Sequence, residues 1–399
     1  MLMKKSFILL AAAALTLVAC NKTVTVAENE GDAISFRPLM SGVTKAADIT
    51  ADGLHSSGFF VTAYHKVGEA APVEYFDNVA FTWVEASSTY TSAKKYYWPS
   101  AGTLDFYAYA PTAVDNAQLT RTDYKTFTVA PSATVAAQMD LVYANTDGKS
   151  KTGEYTSSTF GAAGVPLNFR HAESKIIVKV KNSVVNDLKF EITQVKIANV
   201  DNSAVFTYND TPSTGDDNTD GNGSNQLKVG DWTDNTTYTS SFTTATLNTN
   251  TVSGQITSGQ FLNGNGTLNT EDQNLHMILI PQTTPDATGT YASEAANAAY
   301  SGSYIALKMV IKQAGSEIVI ADATADNKWA MWPVKFTWAP GKQYTYTIDL
   351  ANGGYWETNQ TSTDSNLDPI LDNAVIKFVS VTVDNWSDAD GIDVAGPTL

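Results

Sequence analysis

The chain has 399 residues, with 41 Asp and Glu against 25 Lys and Arg, so its formal charge is -16 at pH 7. Proteins that bind nucleic acid neutralise phosphates with Lys and Arg, and this chain would repel phosphates at long range. A nucleic-acid binder that works by bulk charge is therefore excluded. At about 150 residues per domain, the length predicts two or three domains. Only 17% of the residues are charged, a composition typical of β-rich, secreted proteins.

One cysteine, Cys20, is present. It excludes an intramolecular disulfide and a thiolate-rich metal cluster, because structural zinc needs several Cys or His ligands. His55, His65, His171 and His276 are scattered and have no second ligand at metal spacing. We therefore predict no cofactor, and we interpret the histidines as polar residues at strand ends or at the surface.

The first twenty residues have the pattern of an export signal. Two lysines near the start precede an apolar run over residues 6–18, which is too short to span a bilayer. Residues 17–20, Leu-Val-Ala-Cys, resemble a bacterial lipobox, in which the cysteine is diacylated and becomes the mature N-terminus. An ordinary secretory signal with a chance cysteine is the alternative. Residues 1–20 thus predict a lipoprotein signal peptide whose acyl chains on Cys20 hold the protein on a membrane.

Residues 21–45 are interpreted as a tether followed by a separable strand. Ile34 and Phe36 alternate with polar residues, which is the period of a half-buried strand. Pro38 limits that strand to an edge or an end. The dipeptide Lys45-Ala46 follows in a stretch with little to pack, so an isolated strand precedes an exposed basic site.

From Leu54 onward, many short segments rich in aromatic and β-branched residues predict strands. The clearest are 59–64, 104–109, 175–180, 190–197, 275–281, 304–312, 317–321 and 344–350. Only 131–140 and 291–300 have locally helical patterns. Residues 199–274, rich in Asn, Thr, Asp, Ser and Gly, are interpreted as long loops on a few weak strands. The predicted class is all-β, with sandwich domains over 46–165 and 166–399.

No motif indicates an enzyme or a calcium site. No serine lies in a Gly-x-Ser-x-Gly turn, and no Gly-rich loop precedes a helix, so hydrolase and nucleotide-binding functions have no support. Residues 216–221 match positions 1, 3, 5 and 6 of a calcium loop, but position 12 is Leu227, where a bidentate Glu is needed. A loop without a bound ion is the preferred interpretation.

Eight tryptophans suggest glycan binding, because an indole face can stack on a sugar ring. Trp329, Trp332 and Trp338 lie within ten residues, although separations of three and six do not place all of them on one strand face. Core and domain-junction positions are the simpler interpretation for most of them. A surface glycan-binding lipoprotein with tryptophan platforms remains the alternative function.

Five segments share a pattern with a known family. They are 97–99 (Tyr-Trp-Pro), 104–111 (Leu-Asp-Phe-Tyr-Ala-Tyr-Ala-Pro), 138–141 (Gln-Met-Asp-Leu), 167–176 (Leu-Asn-Phe-Arg-His-Ala-Glu-Ser-Lys-Ile) and 338–346 (Trp-Ala-Pro-Gly-Lys-Gln-Tyr-Thr-Tyr). With the lipobox, and in this order and spacing, they resemble the fimbrillin family, the type V pilins of Bacteroidales. The resemblance extends over nearly the whole chain.

The resemblance implies a non-enzymatic subunit of a cell-surface fimbrium that supports adhesion. It implies a lipoprotein precursor in the outer membrane, with two transthyretin-like Greek-key β-sandwich domains in tandem. In the family, a trypsin-like protease removes the N-terminal segment and its first strand, which leaves an open hydrophobic groove. A C-terminal strand of a neighbouring subunit then fills that groove. Physically this is β-augmentation of an unpaired sheet edge. The implied partners are other fimbrial subunits, the outer membrane and the processing protease.

Transferred to this chain, the resemblance assigns acylation to Cys20, processing to Lys45-Ala46 and the removable strand to Ile34 and Phe36. The C-terminal tail, 375–399, is the donor; its apolar residues are Ile376, Phe378, Val379, Val381 and Val383. Their alternation slips between Phe378 and Val379, which a bulge would explain. A final strand paired inside its own domain is the alternative for this segment.

The chain departs from the family pattern at two positions. The usual cleavage residue of the family is arginine, whereas Lys45 precedes the best-placed bond here and Arg37 lies inside the predicted strand. Without cleavage, the groove stays filled and the lipid stays attached, which suits an anchor subunit better than a stalk subunit. Glu173 also stands where the family more often has a small or apolar residue.

Overall fold

The computed structural model describes residues 28–40, 51–151, 164–209, 230–233, 237–269, 275–286, 302–324, 329–357, 370–371 and 380–385. Over these residues the chain forms 25 strands, one short helix, α1 (Ala51–Ser57), and two single 3₁₀ turns. The predicted all-β class is confirmed. Within the described ranges, no helix is long and apolar enough to cross a membrane.

Eleven strands lie before residue 172. They are β1 (Glu28–Ala33), β2 (Phe36–Met40), β3 (Phe59–Lys66), β4 (Val73–Val84), β5 (Thr89–Thr91), β6 (Tyr97–Pro99), β7 (Thr103–Ala110), β8 (Leu119–Arg121), β9 (Thr126–Val129), β10 (Val142–Lys149) and β11 (Val165–His171).

Fourteen strands follow. They are β12 (Ser174–Asn182), β13 (Leu188–Val200), β14 (Ala204–Thr207), β15 (Asp231–Thr233), β16 (Ser240–Thr243), β17 (Asn250–Ser253), β18 (Ile256–Phe261), β19 (Met277–Leu279), β20 (Tyr304–Gln313), β21 (Val319–Asp322), β22 (Ala330–Pro333), β23 (Lys342–Asp349), β24 (Tyr355–Trp356) and β25 (Ser380–Asn385).

The first half is organised around a seven-stranded sheet in the order β2-β11-β10-β7-β3-β4-β5, with a separate β1-β6 pair. Strand β7 is buried on both faces. Phe106 and Ala108 belong to the first hydrophobic core, whereas Tyr107 and Tyr109 belong to a second core on the opposite face. Since successive side chains in a strand point to opposite faces, this double burial explains why the sequence of β7 is almost uninterruptedly aromatic and apolar.

The second half has two sheets. One sheet has the order β18-β12-β23-β25, and β19 also pairs with β12. The other has the order β16-β13-β20-β22-β24; in addition, β17 pairs with β13 and β21 pairs with β20. A large apolar core includes residues from both sheets. In β13, the register on β20 shifts between Ile192 and Gln194, so the buried series passes from Ile192 to Val195 and Ile197. A bulge of this kind changes the phase of alternation without ending the strand.

A smaller, four-stranded sheet joins the two halves. It has the order β15-β14-β9-β8, and its central antiparallel pair combines β9 of the first half with β14 of the second. Phe127 and Phe206 pack in the core beneath it, and the Tyr208 hydroxyl donates a 2.5 Å hydrogen bond to the Ala108 carbonyl. We call this the junction core. The chain passes from the first sheet to the second at residues 172–173, and the division into two tandem sandwiches stays a prediction.

Most predicted strands are present. The described part of residues 199–274 contains five strands of three to six residues, β14 to β18, in agreement with the few weak strands expected there. Three of them, β16, β17 and β18, pair with the longer strands β12 and β13, so tertiary pairing supports strands of polar composition. Helix α1 was not predicted. Buried Leu54 anchors it, and Gly58, at φ +62°, ends it with a hydrogen bond from its N–H to the Leu54 carbonyl, as left-handed glycines commonly do.

Of the two locally helical patterns, 131–140 forms one 3₁₀ turn at Val135–Ala137. The other, 291–300, and the calcium-like segment 216–221 lie outside the described residues.

Replacing Phe127 by alanine tests the junction core. Phe127 is fully buried, so Phe127→Ala is expected to lower the free energy of unfolding by about 3–5 kcal/mol through lost burial and a cavity. Urea denaturation followed by tryptophan fluorescence measures the change. The neighbouring Thr128→Ala, on the half-exposed face of the same strand, is the matched control, with an expected change of about 0.5 kcal/mol. Equal effects of the two changes would contradict the packing described here.

Candidate functional site

The N-terminal segment closes one edge of the first sheet. Strand β2 pairs in parallel with β11, with Phe36 opposite Val165 and Met40 opposite Phe169, and it is the last strand of that sheet. The Val165 N–H donates to the Ser35 carbonyl at 2.8 Å, and the Ile34 N–H donates to the Tyr96 carbonyl at 2.7 Å. The segment is therefore tied to the sandwich by backbone bonds on two sides.

The side chains of Ile34 and Phe36 are buried in the first core. Three rings surround the Phe36 ring, at centroid distances of 4.8 Å (Phe81), 5.1 Å (Phe106) and 6.3 Å (Phe59), with interplanar angles of 83–86°. Edge-to-face contacts of this type are favourable beyond the area they bury. We call Phe59, Phe81 and Phe106 the aromatic cage. The cage residues come from β3, β4 and β7, whereas the ring they hold comes from the segment before Lys45.

Gly164 lets the backbone of the segment come close. Its φ is +133°, and a Cβ atom built there would lie 2.9 Å from the carbonyl carbon of Phe36. That distance is too short for any side chain, and the φ value is one that side chains rarely adopt. The sheet thus has a glycine at the point where the N-terminal strand enters the core.

Removing the segment would uncover both apolar and polar groups. Ile34, Phe36 and Met40 are all buried in the first core, and burial of one such side chain is worth about 1.5–3 kcal/mol. The backbone groups of β11 that face β2 would also lose their partners, and an unpaired strand edge pairs readily with another chain. The segment therefore covers both an apolar pocket and a strand edge of the first sheet.

The described part of the C-terminal tail is an edge strand as well. Strand β25 pairs antiparallel with β23, with Val381 opposite Tyr346 and Val383 opposite Tyr344, at the end of its sheet. Directly opposite residues share a face, and both tyrosines are buried in the large core. Yet Val381 is 49% exposed and Val383 is 52% exposed. Their apolar side chains thus lie on the core side of the sheet but beyond the part that is covered.

The other predicted site residues lie outside the described ranges. They are Cys20, Lys45, Ala46, Ile376, Phe378 and Val379. Ile34 and Phe36 are buried in the same core as the three cage residues. Val381 and Val383 lie on a different sheet, in the second half of the chain. The cage was not predicted from the sequence. Phe59 and Phe106 fall in predicted strands, but a period-2 pattern does not show which phenylalanines converge.

A buried acidic group lies where the chain crosses between the two halves. Glu173 is 1% exposed; its Oε2 accepts a 3.0 Å hydrogen bond from the Leu141 N–H, and its Oε1 has no hydrogen-bond partner in the described structure. Burial raises the pKa of the Glu173 carboxyl well above its ordinary value of 4.5; the Leu141 hydrogen bond opposes this shift, and the charge of Asp140 adds to it. Glu173 thus carries its proton to higher pH in the folded chain than in the unfolded one.

His171 is part of the same crossing. It lies at the end of β11, as expected of a polar residue at a strand end, but it is buried, and its Nδ1 is 3.0 Å from Asp140 Oδ1. His276 is buried too and immediately precedes β19, so both histidines lie at strand ends, one of the two expected positions. His55 is exposed and stacks on Trp83 at 3.9 Å, and His65 Nε2 lies 2.7 Å from the Ala101 carbonyl oxygen.

The tryptophans considered for glycan binding are buried. Trp332 and Trp338 belong to the large core, and the Trp338 indole N–H donates to the Tyr346 hydroxyl at 2.9 Å. Trp329 is buried on the outer face of the second sheet, where the Lys196 ammonium lies 4.3 Å from its ring centroid. None of these three indoles is exposed enough to serve as a stacking face for a sugar.

Solved structures similar to this chain include three candidate cell adhesion proteins of Bacteroidales. The one from Bacteroides uniformis is 19% identical over 89% of this chain and 99% of its own, with a TM-score of 0.44. The one from Bacteroides ovatus is 13% identical over 90% and 99%, with a TM-score of 0.42. One from Parabacteroides distasonis is 14% identical over 89% and 98%, with a TM-score of 0.40. Among curated proteins, none matches the chain.

The fold and the site define a class of protein. It is an all-β chain in which β2, in the first half, and β25, in the second half, each lie at the edge of a sheet. Residues 44–386 match the model of the fimbrillin-like family. The chain belongs to that family, which confirms the resemblance found in the sequence. Membership makes it a fimbrial or adhesion subunit of the cell surface, in a family that is typically structural.

Replacing Glu173 by glutamine tests the buried carboxyl. The unfolded chain loses this proton near pH 4.5 and the folded chain at higher pH, so the contribution of Glu173 to stability falls as pH rises through that interval. Glu173→Gln keeps an acceptor for the Leu141 N–H and removes the titration. Its stability relative to the wild type is expected to be higher at pH 8 than at pH 5, by about 1.4 kcal/mol per unit of pKa elevation.

Urea denaturation at the two pH values measures this difference. The control is Glu69→Gln, at an exposed residue, which should behave alike at both. The same difference between pH 5 and pH 8 for both variants would contradict a raised pKa at Glu173.

Proposed function

We propose that this protein is a structural fimbrial subunit that is exported as a lipoprotein and polymerises by protease-triggered strand exchange. The observation that carries the proposal is the position of Ile34 and Phe36. Both side chains complete the first core, Phe36 from the edge strand β2 and Ile34 from just before it, and Lys45-Ala46 lies between β2 and α1 in the sequence. A single cut there separates the strand covalently from the core that it fills.

Export and anchoring are the first step of the proposal. The signal peptide 1–20 directs the chain across the inner membrane, and Cys20 receives the acyl chains that hold the precursor on the outer membrane. The anchor precedes Lys45 in the sequence. The same cut therefore releases the subunit from the lipid and frees its groove.

Lys45 is the better processing residue of the two basic candidates. Arg37 lies within β2, opposite Pro166, so its backbone is held in the sheet rather than in an accessible loop. It also precedes Pro38, and a proline at that position lacks an N–H and has a locked φ, which trypsin-like enzymes do not tolerate. Cleavage after Lys45 requires a protease that accepts lysine. If this bond is left intact in the cell, the subunit serves as an anchor.

The donor in the proposal is the tail 375–399 of a neighbouring subunit. Strand β25 lies at a sheet edge with half-exposed valines, so its release uncovers less apolar surface than the loss of a core strand. A vacated groove offers unpaired backbone along β11 together with the aromatic cage. Main-chain hydrogen bonds and side-chain pockets are the two contributions that make β-augmentation stable and specific.

Processing at Lys45 is tested by limited trypsin digestion of the chain from Cys20. N-terminal sequencing and intact mass are expected to show a new N-terminus at Ala46 with a resistant remainder, and an unheated gel is expected to show a ladder of multimers. Lys45→Gln should remove both the new terminus and the ladder. A ladder formed equally by Lys45→Gln would exclude cleavage at this bond as the trigger.

Deleting residues 375–399 tests the donor. The truncated subunit is expected to fold and to be cleaved at Lys45 but to remain monomeric, because no tail is available to fill a neighbour's groove. Size-exclusion chromatography after digestion measures the oligomeric state, and circular dichroism checks the fold. Normal polymerisation of the truncated chain would rule out the tail as donor.

A further inference from the structure

We infer that the tail of one subunit enters the groove of the next in a single register, with Phe378 in the aromatic cage that Phe36 vacates and Ile376 in the place of Ile34. This inference rests on the proposed strand exchange and specifies its geometry. The occupant is a second copy of this chain, and its direction along β11 is parallel, as that of β2 is now.

The resident segment and the tail share a short sequence pattern. The pattern Ile-x-Phe occurs at two places in the 399 residues, at 34–36 and at 376–378. The first copy is the one whose side chains fill the first core. The second copy lies within the tail that the proposed function makes the donor. Ile34 lies just before β2, and its side chain is buried in the same core as that of Phe36. Residues two apart in an extended chain share a face, so both side chains of the second copy can occupy the two vacated positions at once.

The shape of the cage also favours a phenylalanine. Three rings meet Phe36 edge to face, at angles of 83–86°, and this arrangement accepts another aromatic ring with the same contacts. The other apolar series of the tail, Val379, Val381 and Val383, would place a valine among the three rings. Valine is several carbon atoms smaller than phenylalanine, so that register leaves a cavity, and cavities of this kind destabilise a packed core.

The register has consequences along the rest of the groove. Leu39 is opposite Asn168 and Met40 is opposite Phe169 in the resident strand. With Phe378 at the position of Phe36, Val381 takes the place of Leu39 and Thr382 that of Met40. Threonine is smaller than methionine, so Ile376 and Phe378 provide most of the apolar anchoring. In the competing register, with Val381 in the cage, residue 384 is opposite Asn168 instead.

Cysteine pairs distinguish the two registers. The full chain from Cys20 with Asn168→Cys and Val381→Cys, cleaved at Lys45 and oxidised, is expected to give a ladder that survives heating in detergent and collapses on reduction. The chain with Asn168→Cys and Asp384→Cys is the matched control and should give monomers under the same conditions. Paired strands bring the Cβ atoms of opposite residues within disulfide range, and residues three positions away are too distant. Cross-links through residue 384 in place of 381 would overturn the register.

Alanine variants provide the second measurement. Phe378→Ala is expected to reduce the yield of the unheated ladder at least tenfold, whereas Val383→Ala should leave the yield within about twofold of the wild type, because Phe→Ala at a packed site costs far more than an exposed truncation. Both monomers are checked for cleavage at Lys45 and for unchanged circular dichroism. Equal ladders from Phe378→Ala and the wild type would also overturn the register.

Failure of the proposed function gives a different result from failure of this inference. If cleaved wild-type chain makes no ladder, strand exchange itself is absent, and the register falls with it. If the wild type polymerises but the cross-link or alanine results go against residue 378, strand exchange stands and only its register is wrong.

Discussion

The structure depends on the need to cover the edge of β11. Among the described residues, this strand has β10 on one side and only the segment before residue 41 on the other. The same segment supplies the ring that fills the aromatic cage. A sheet edge with unpaired backbone beside an open apolar pocket is unstable in water. The molecule meets this constraint with β2, which is distant from β11 in the sequence but pairs with it in the sheet.

A second feature of the fold supports the wall of the cage from behind. Strand β7 contributes Phe106 to the cage on one face and Tyr107 and Tyr109 to the junction core on the other. The junction core also holds Phe206 from the second half. Because closely packed interiors resist deformation, the cage wall is supported from behind by a core that the N-terminal segment does not enter. Losing that segment leaves the opposite face of β7 packed.

The comparison of sequence and structure shows where local pattern is sufficient. The alternation in β13 and the aromatic run of β7 predict strands because side-chain direction in a strand has period two. The same rule placed Ile34 and Phe36 on one face, and both are buried in the first core, although Ile34 lies just before β2. It missed α1, whose seven residues are too few for a helical period to emerge, and it gave no bounds for β16 and β17, which pair with β13. The burial of His171 and Glu173 was also missed, since both depend on the crossing between halves.

The sequence by itself determined the all-β class, the positions of most long strands and the family, because each of these follows from periodicity or from motifs in order along the chain. Only the tertiary structure decided that β2 runs parallel to β11, that three phenylalanines from β3, β4 and β7 surround Phe36, and that Val381 and Val383 lie at an uncovered edge. The physical reason is that a strand pattern records which side chains share a face. Which backbone lies alongside is set by contacts between residues far apart in sequence, such as Phe36 and Val165.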